Sequence, residues 1–169
     1  VFIKTKNEKE KANQSNNKED IFIKLIDFGT SISIKKDGNL TQELGTIYYI
    51  APEVFKNNYN ERADIWSVGI ILYTMLCGHP PFCGNKEEII KNKILHSKLQ
   101  FLPKDFSKVS SEAINFVKSL LTYDPSKRPS AEEALDNKWL NQMTKPSAED
   151  HILEANVLLN LSKFTSAVT

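Results

Sequence analysis

An apolar run, Ile23 to Ile26, delivers the triplet Asp27-Phe28-Gly29. An aspartate at the mouth of a strand can hold a divalent cation through its oxygens. A glycine two residues on lets the backbone turn sharply away. Taken alone, Asp27 also suits an ordinary turn. Between it and Ala51-Pro52-Glu53 lies TSISIKKDGNLTQELGTIYYI, rich in hydroxyl and charged side chains and without helical or strand period. That pattern reads as a loop anchored at both ends, and such loops tend to carry function. Thr30, Ser31, Ser33 and Thr41 within it are candidate phosphorylation sites, which could dock on an arginine once modified. Arg62 and Arg128 are the only arginines, so each is expected to be placed for a reason.

The elements that must position this loop are mostly helical. Ile21 to Ile26 reads as a buried strand. Val1 to Ile3 leans toward β structure, and pairing with that strand would make a hairpin with a long insert. The insert, Lys4 to Asp20, has Ala12 as its only apolar residue, too little to offset its ordering entropy. Pro52 suits a first helical turn, with Glu53 to Lys56 a short helix that Asn57 to Asn60 breaks. Asp64 to Cys77 is apolar on nearly every side, which predicts a helix in the middle of a domain. It is too short to span a membrane and carries Asp64, Ser67 and Thr74. Gly78-His79-Pro80-Pro81 stops it.

Three further helices are expected, each with its own start signal. Asn85 is the predicted cap of one bearing Ile89, Ile90 and Ile94. Ser110 or Ser111 caps another, with Ala113, Phe116, Val117, Leu120 and Leu121 on one face. Ser130 and Glu133 form a capping box for a third, through Ala134 and Leu135, with Trp139-Leu140 close behind. Thr144 to Ser147 reads as a linker, and Leu153, Val157, Leu158, Leu161 and Phe164 follow at near-helical spacing.

Composition narrows the class. A chain of 169 residues, 40% hydrophobic and 25% charged, suits one soluble globular domain with a sizeable core. A formal net charge of +1 offers no field for gripping nucleic acid or anionic lipid. No apolar run reaches membrane-spanning length and no signal-peptide pattern opens the chain. Cys77 and Cys83 flank a turn, with no other cysteine to complete a metal set, and are expected as reduced thiols. The expected setting is cytoplasmic, with membrane anchoring open only through an N-terminus beyond this chain. His79 and His96 are expected as surface or turn residues, and Trp66 and Phe82 as core.

Asp27-Phe28-Gly29 followed by Gly45-Thr46-Ile47-Tyr48-Tyr49-Ile50-Ala51-Pro52-Glu53 resembles the activation segment of eukaryotic protein kinases. The resemblance continues in order through Asp64-Ile65-Trp66-Ser67-Val68-Gly69 and Gly78-His79-Pro80-Pro81-Phe82. It extends to Leu121-Thr122-Tyr123-Asp124-Pro125-Ser126-Lys127-Arg128-Pro129, and covers Ile21 to Leu140. The fold it implies is mainly α: a kinase-like C-lobe helical bundle with a small β-hairpin and no N-lobe in this chain. Residues 1–20 would be a remnant strand plus a low-complexity insert and 21–140 a partial kinase domain. Residues 141–169 would be a linker and regulatory junction helix.

Carried over by position, the resemblance gives Asp27 the Mg²⁺ that bridges the ATP phosphates. Glu53 and Arg128 would form a buried ion pair tying the segment's end to the helical core. Asp64 would bond backbone groups of the catalytic loop. Thr46 would contact the catalytic aspartate and the acceptor hydroxyl, and Gly45 to Tyr49 would form the platform beside the phosphoacceptor. Its make-up, lacking the proline typical of tyrosine kinases, favours Ser/Thr specificity. The family's Gly-rich loop, strand lysine, partner glutamate and catalytic-loop set have no counterpart in these residues. The 169-residue chain alone is therefore expected to be inactive, the full protein being the enzyme.

A narrower resemblance, to calcium-dependent protein kinases of the calmodulin-dependent group, rests on Tyr48 to Val54, the Gly-His-Pro-Pro-Phe-Cys-Gly turn and Asn156 to Phe164. That last stretch is similar to the start of the family's junction helix; an amphipathic helix packed on the lobe is the alternative. No EF-hand loop occurs, so Ca²⁺ would act only through elements outside this chain. Thr74 stands near where some basophilic kinases carry a glutamate. The partners implied are protein substrates and a downstream EF-hand domain or calmodulin, with no nucleic acid and no membrane. The competing reading is a pseudokinase or docking module without catalysis.

Overall fold

The computed structural model describes residues 2–5, 21–26, 28–32, 40 and 45–143. The chain divides into two compact units, Val1–Ser33 and Ile34–Thr169. In the first, β1 (Phe2–Thr5) pairs antiparallel with β2 (Ile21–Lys24), Phe2 opposite Lys24 and Thr5 opposite Ile21. The expected buried strand is cut short: the ladder ends at Lys24, and Leu25 and Ile26 are exposed. A two-stranded ribbon has no second layer to cover such residues. A 3₁₀ turn, Phe28–Thr30, follows. The expected insert over 6–20, the linker and the tail helix over 144–169 lie outside the described residues.

The second unit is built around α1 (Arg62–Cys77). Ala63, Trp66, Ile70, Tyr73 and Cys77 are buried at helical spacing, a stripe that only a surrounding core can cover. Gly69 brings α1 against α4 (Ser111–Leu120), because a Cβ there would stand 2.8 Å from a Leu121 methyl. The helix stops at Gly78, whose φ of 87° lies in the left-handed region and whose N–H bonds the Thr74 carbonyl at 2.7 Å. The expectation of an all-round core helix is met on one side only. Val68, Ile71 and Met75 are exposed on the other.

Local signals set most of the remaining boundaries. Ser110 caps α4 by accepting from the Ala113 N–H at 3.2 Å, and Ser130 and Glu133 close a full capping box on α5 (Ala131–Leu135). For α2 (Glu87–His96) the expected cap is displaced by one residue. Lys86, extended at φ −143°, takes the position and makes no side-chain cap bond. Glu87 and Glu88 in the first turn instead place negative charge on the positive end of the helix. A four-residue helix, α3 (Pro103–Phe106), is too short for any periodicity to announce. Phe106 drops from it into an aromatic cluster with Tyr73 and Phe101, ring centroids 5.0 Å from each. On α6 (Lys138–Met143), Trp139 packs on Phe116, centroids 5.7 Å apart. Among the described residues no helix is long and apolar enough to cross a membrane.

Candidate active-site segment and its anchor

The end of the long loop is held to α1 by backbone and side chain together. Gly45, at φ 114°, takes a conformation that side-chain-bearing residues avoid. Thr46 then enters the 3₁₀ turn Ile47–Tyr49, its carbonyl accepting from the Tyr49 N–H at 3.0 Å while its side chain stays exposed. Ser67, one turn into α1, donates its hydroxyl to the Tyr49 carbonyl at 2.8 Å. Ile50, Ala51 and Val54 are buried next in line, so the chain passes from exposed Gly45 and Thr46 through half-buried Ile47–Tyr49 into the core within a few residues.

There Glu53 meets Arg128. Nη1 and Nη2 of Arg128 donate to Oε1 and Oε2 of Glu53 at 2.5 and 3.0 Å, a bidentate geometry that fixes both planes. Arg128 is fully buried and the Glu53 side chain is 6% exposed. Two more of its five N–H groups are occupied: Nε donates to the Thr122 carbonyl at 3.1 Å and Nη1 also to the Arg62 carbonyl at 2.7 Å. The guanidinium carbon lies 5.2 Å from the centre of the Trp66 ring, whose other neighbour, Phe82, stacks at 6.1 Å. Arg62 returns the bond, Nη1 donating to the Arg128 carbonyl. The two arginines of the chain therefore clasp each other. The rarity of arginine hinted at Arg62; nothing in the sequence hinted at Ser67.

The other expected site residues are scattered. Asp64 sits in the first turn of α1 with no side-chain hydrogen bond among the described residues. It reaches solvent, yet the protein beside it desolvates the carboxylate and raises its pKa. Thr74 is buried and donates to the Ile70 carbonyl at 2.8 Å, so it offers a substrate nothing. Ser31 is exposed and donates to the Phe28 carbonyl at 2.7 Å; Thr30 closes the same turn. Asp27, Ser33 and Thr41 lie outside the described residues. Among those described, no cluster of three or more His, Cys, Asp or Glu could hold a metal. An ion held by Asp27 would be an oxygen-ligated cation such as Mg²⁺.

Past α1, His79 sits in the turn. Its Nδ1 is 3.1 Å from the Pro80 carbonyl and its Nε2 is 3.4 Å from Oδ2 of Asp105. The sulfurs of Cys77 and then Cys83, with that carbonyl, push its pKa up to about 11 against the lowering effect of burial. Cys77 and Cys83 form no disulfide; their thiols donate to the His79 and Pro80 carbonyls at 3.2 and 3.0 Å.

A model of the protein kinase domain matches residues 8–140. The chain belongs to the protein kinase domain family. It is 42% identical over 131 residues to calcium-dependent protein kinase 4 of Plasmodium falciparum (isolate 3D7), covering 78% of this chain and 25% of that protein. Against calcium-dependent protein kinases 27 and 2 of Oryza sativa subsp. japonica the identity is 41% over 150 residues and 40% over 146. These matches cover 89% and 86% of this chain, and 24% and 28% of the relatives. The chain spans about a quarter of the length of the curated relatives it matches. In this kinase family the mainly helical second unit is the C-lobe type of structure, and ATP with Mg²⁺ is the cofactor pair the family implies.

Proposed function

We propose that this chain is the activation-segment and C-lobe part of a calcium-regulated Ser/Thr protein kinase. The whole enzyme moves the γ-phosphate of Mg-ATP to protein hydroxyls. The observation that carries the reading is the buried, bidentate Glu53–Arg128 pair at the end of a loop that opens with Asp-Phe-Gly. In such an enzyme Asp27 helps hold the metal that neutralises charge during phosphoryl transfer. Glu53 and Arg128 keep the far end of the segment fixed. The platform Gly45 to Tyr49, pinned by Ser67, receives the acceptor peptide, and Thr46 faces the acceptor hydroxyl. Asp64 orients backbone of the catalytic loop. Residues 21–140 form the catalytic part, and residues 141–169 act as a junction helix through which a calcium-binding partner relieves inhibition.

The names of the relatives support calcium control, and the platform supports Ser/Thr over Tyr acceptors. The 169 residues alone do not transfer phosphate, since they include no Gly-rich loop, strand lysine or catalytic-loop aspartate. The test is phosphotransfer to a Ser/Thr peptide by the protein that carries this chain together with those elements. Asp27→Asn is expected to lower kcat by orders of magnitude while leaving the folded helical unit unchanged. Undiminished transfer by that variant, or robust transfer by the 169 residues alone, would overturn the reading.

A further inference from the structure

A cavity of about 430 Å³ opens between α1, the turn Pro125–Lys127, α4 and α5, beside the arginine clasp. We propose that it binds a phosphate monoester carrying an apolar substituent. Its lining holds hydrogen-bond donors without acceptors among the described residues. Arg62 uses Nη1 on the Arg128 carbonyl, while its Nε and Nη2 have no acceptor among the described residues. Glu133 Oε2 lies 3.7 Å from that Nη1 and already accepts the Ser130 N–H at 2.7 Å. Asn137 spends its carbonyl oxygen on the Trp139 N–H at 3.0 Å, and its amide hydrogens have no acceptor among the described residues. Among the described residues the Lys127 ammonium meets only Asp124, at 3.6 Å, on a side chain that is 77% exposed.

Arg62, Lys127 and Asn137, from three different elements, thus line one space with donors that have no acceptor or only a distant one among the described residues. A tetrahedral dianion can satisfy such a set, whereas a planar carboxylate reaches fewer of its members. Arg128 lines the same cavity, but it is fully buried and gives four of its five N–H groups to Glu53, Thr122 and Arg62, so it serves as floor rather than ligand. Phe116 supplies an apolar wall, which favours an ester over the bare ion. The site stands whether or not the chain serves phosphoryl transfer.

The test is calorimetric titration of the full 169-residue chain, at constant ionic strength, with phenyl phosphate, inorganic phosphate and a short phosphoserine peptide. Asn137→Asp keeps the cap on Trp139 and replaces the free amide hydrogens with charge, and Lys127→Ala leaves the clasp intact. Saturable binding of an ester, tighter than inorganic phosphate and weakened roughly tenfold or more by Asn137→Asp, is expected. Tighter phenyl phosphate would mark a small-molecule source, and a tighter peptide a phosphorylated side chain. No saturable binding, or binding that both variants leave unchanged, overturns the proposal.

Discussion

His79 illustrates how a single side chain can take its charge from its surroundings. Both ring nitrogens face oxygen acceptors, which suits the imidazolium, and Asp105 Oδ2 is buried with no hydrogen bond among the described residues. With a folded pKa raised from 6.5 to about 11, its contribution to stability is fully present below 6.5 and is lost as pH rises through 11. Solvent screens a side chain that is 35% exposed, so the effect is modest. The urea midpoint of the wild-type chain is expected to fall across that range, and that of His79→Gln to fall less. Equal slopes for the two would remove His79 from the account. A turn histidine was legible in the sequence; its charge was not, because it is set by how the turn folds the sulfurs of Cys77 and Cys83 and the Pro80 carbonyl around the ring.

At the scale of elements, α1 is the part most fully written in the sequence, since its apolar spacing and Gly78 each fix one property. Gly69 shows what spacing leaves out. Its hydrogen sits where Leu120 and Leu121 of the α4 end approach, so Gly69→Ala would place a methyl 2.8 Å from one and 2.9 Å from the other. Overpacking of that kind costs about 1–3 kcal/mol, and chemical denaturation of the variant is expected to read a loss in that range. Ser130→Ala removes half of the capping box on α5 and is expected to cost about 1 kcal/mol. The cap of α2 was misplaced by one residue because Asn85 is the better capping type, whereas the chain enters that helix through an extended Lys86. Propensity yields there to the path of the preceding turn.

Across the whole molecule, the motif order carried the family and the mainly helical class. The partnership of two residues 75 positions apart followed only from that resemblance, since no local pattern encodes it. What stayed illegible is long-range by nature: the Arg62–Arg128 clasp, the Ser67 bond to the Tyr49 carbonyl and the cavity between α4 and α5. The central claim is that Glu53 and Arg128 act as a unit, pinning the end of the segment to the helices. A double-mutant cycle by urea denaturation, with Glu53→Leu, Arg128→Met and the pair together, measures it. Each single change strands a buried charge and is expected to cost about 3–5 kcal/mol, with the double variant far less destabilised than their sum. Single costs that add to within about 0.5 kcal/mol would contradict the claim.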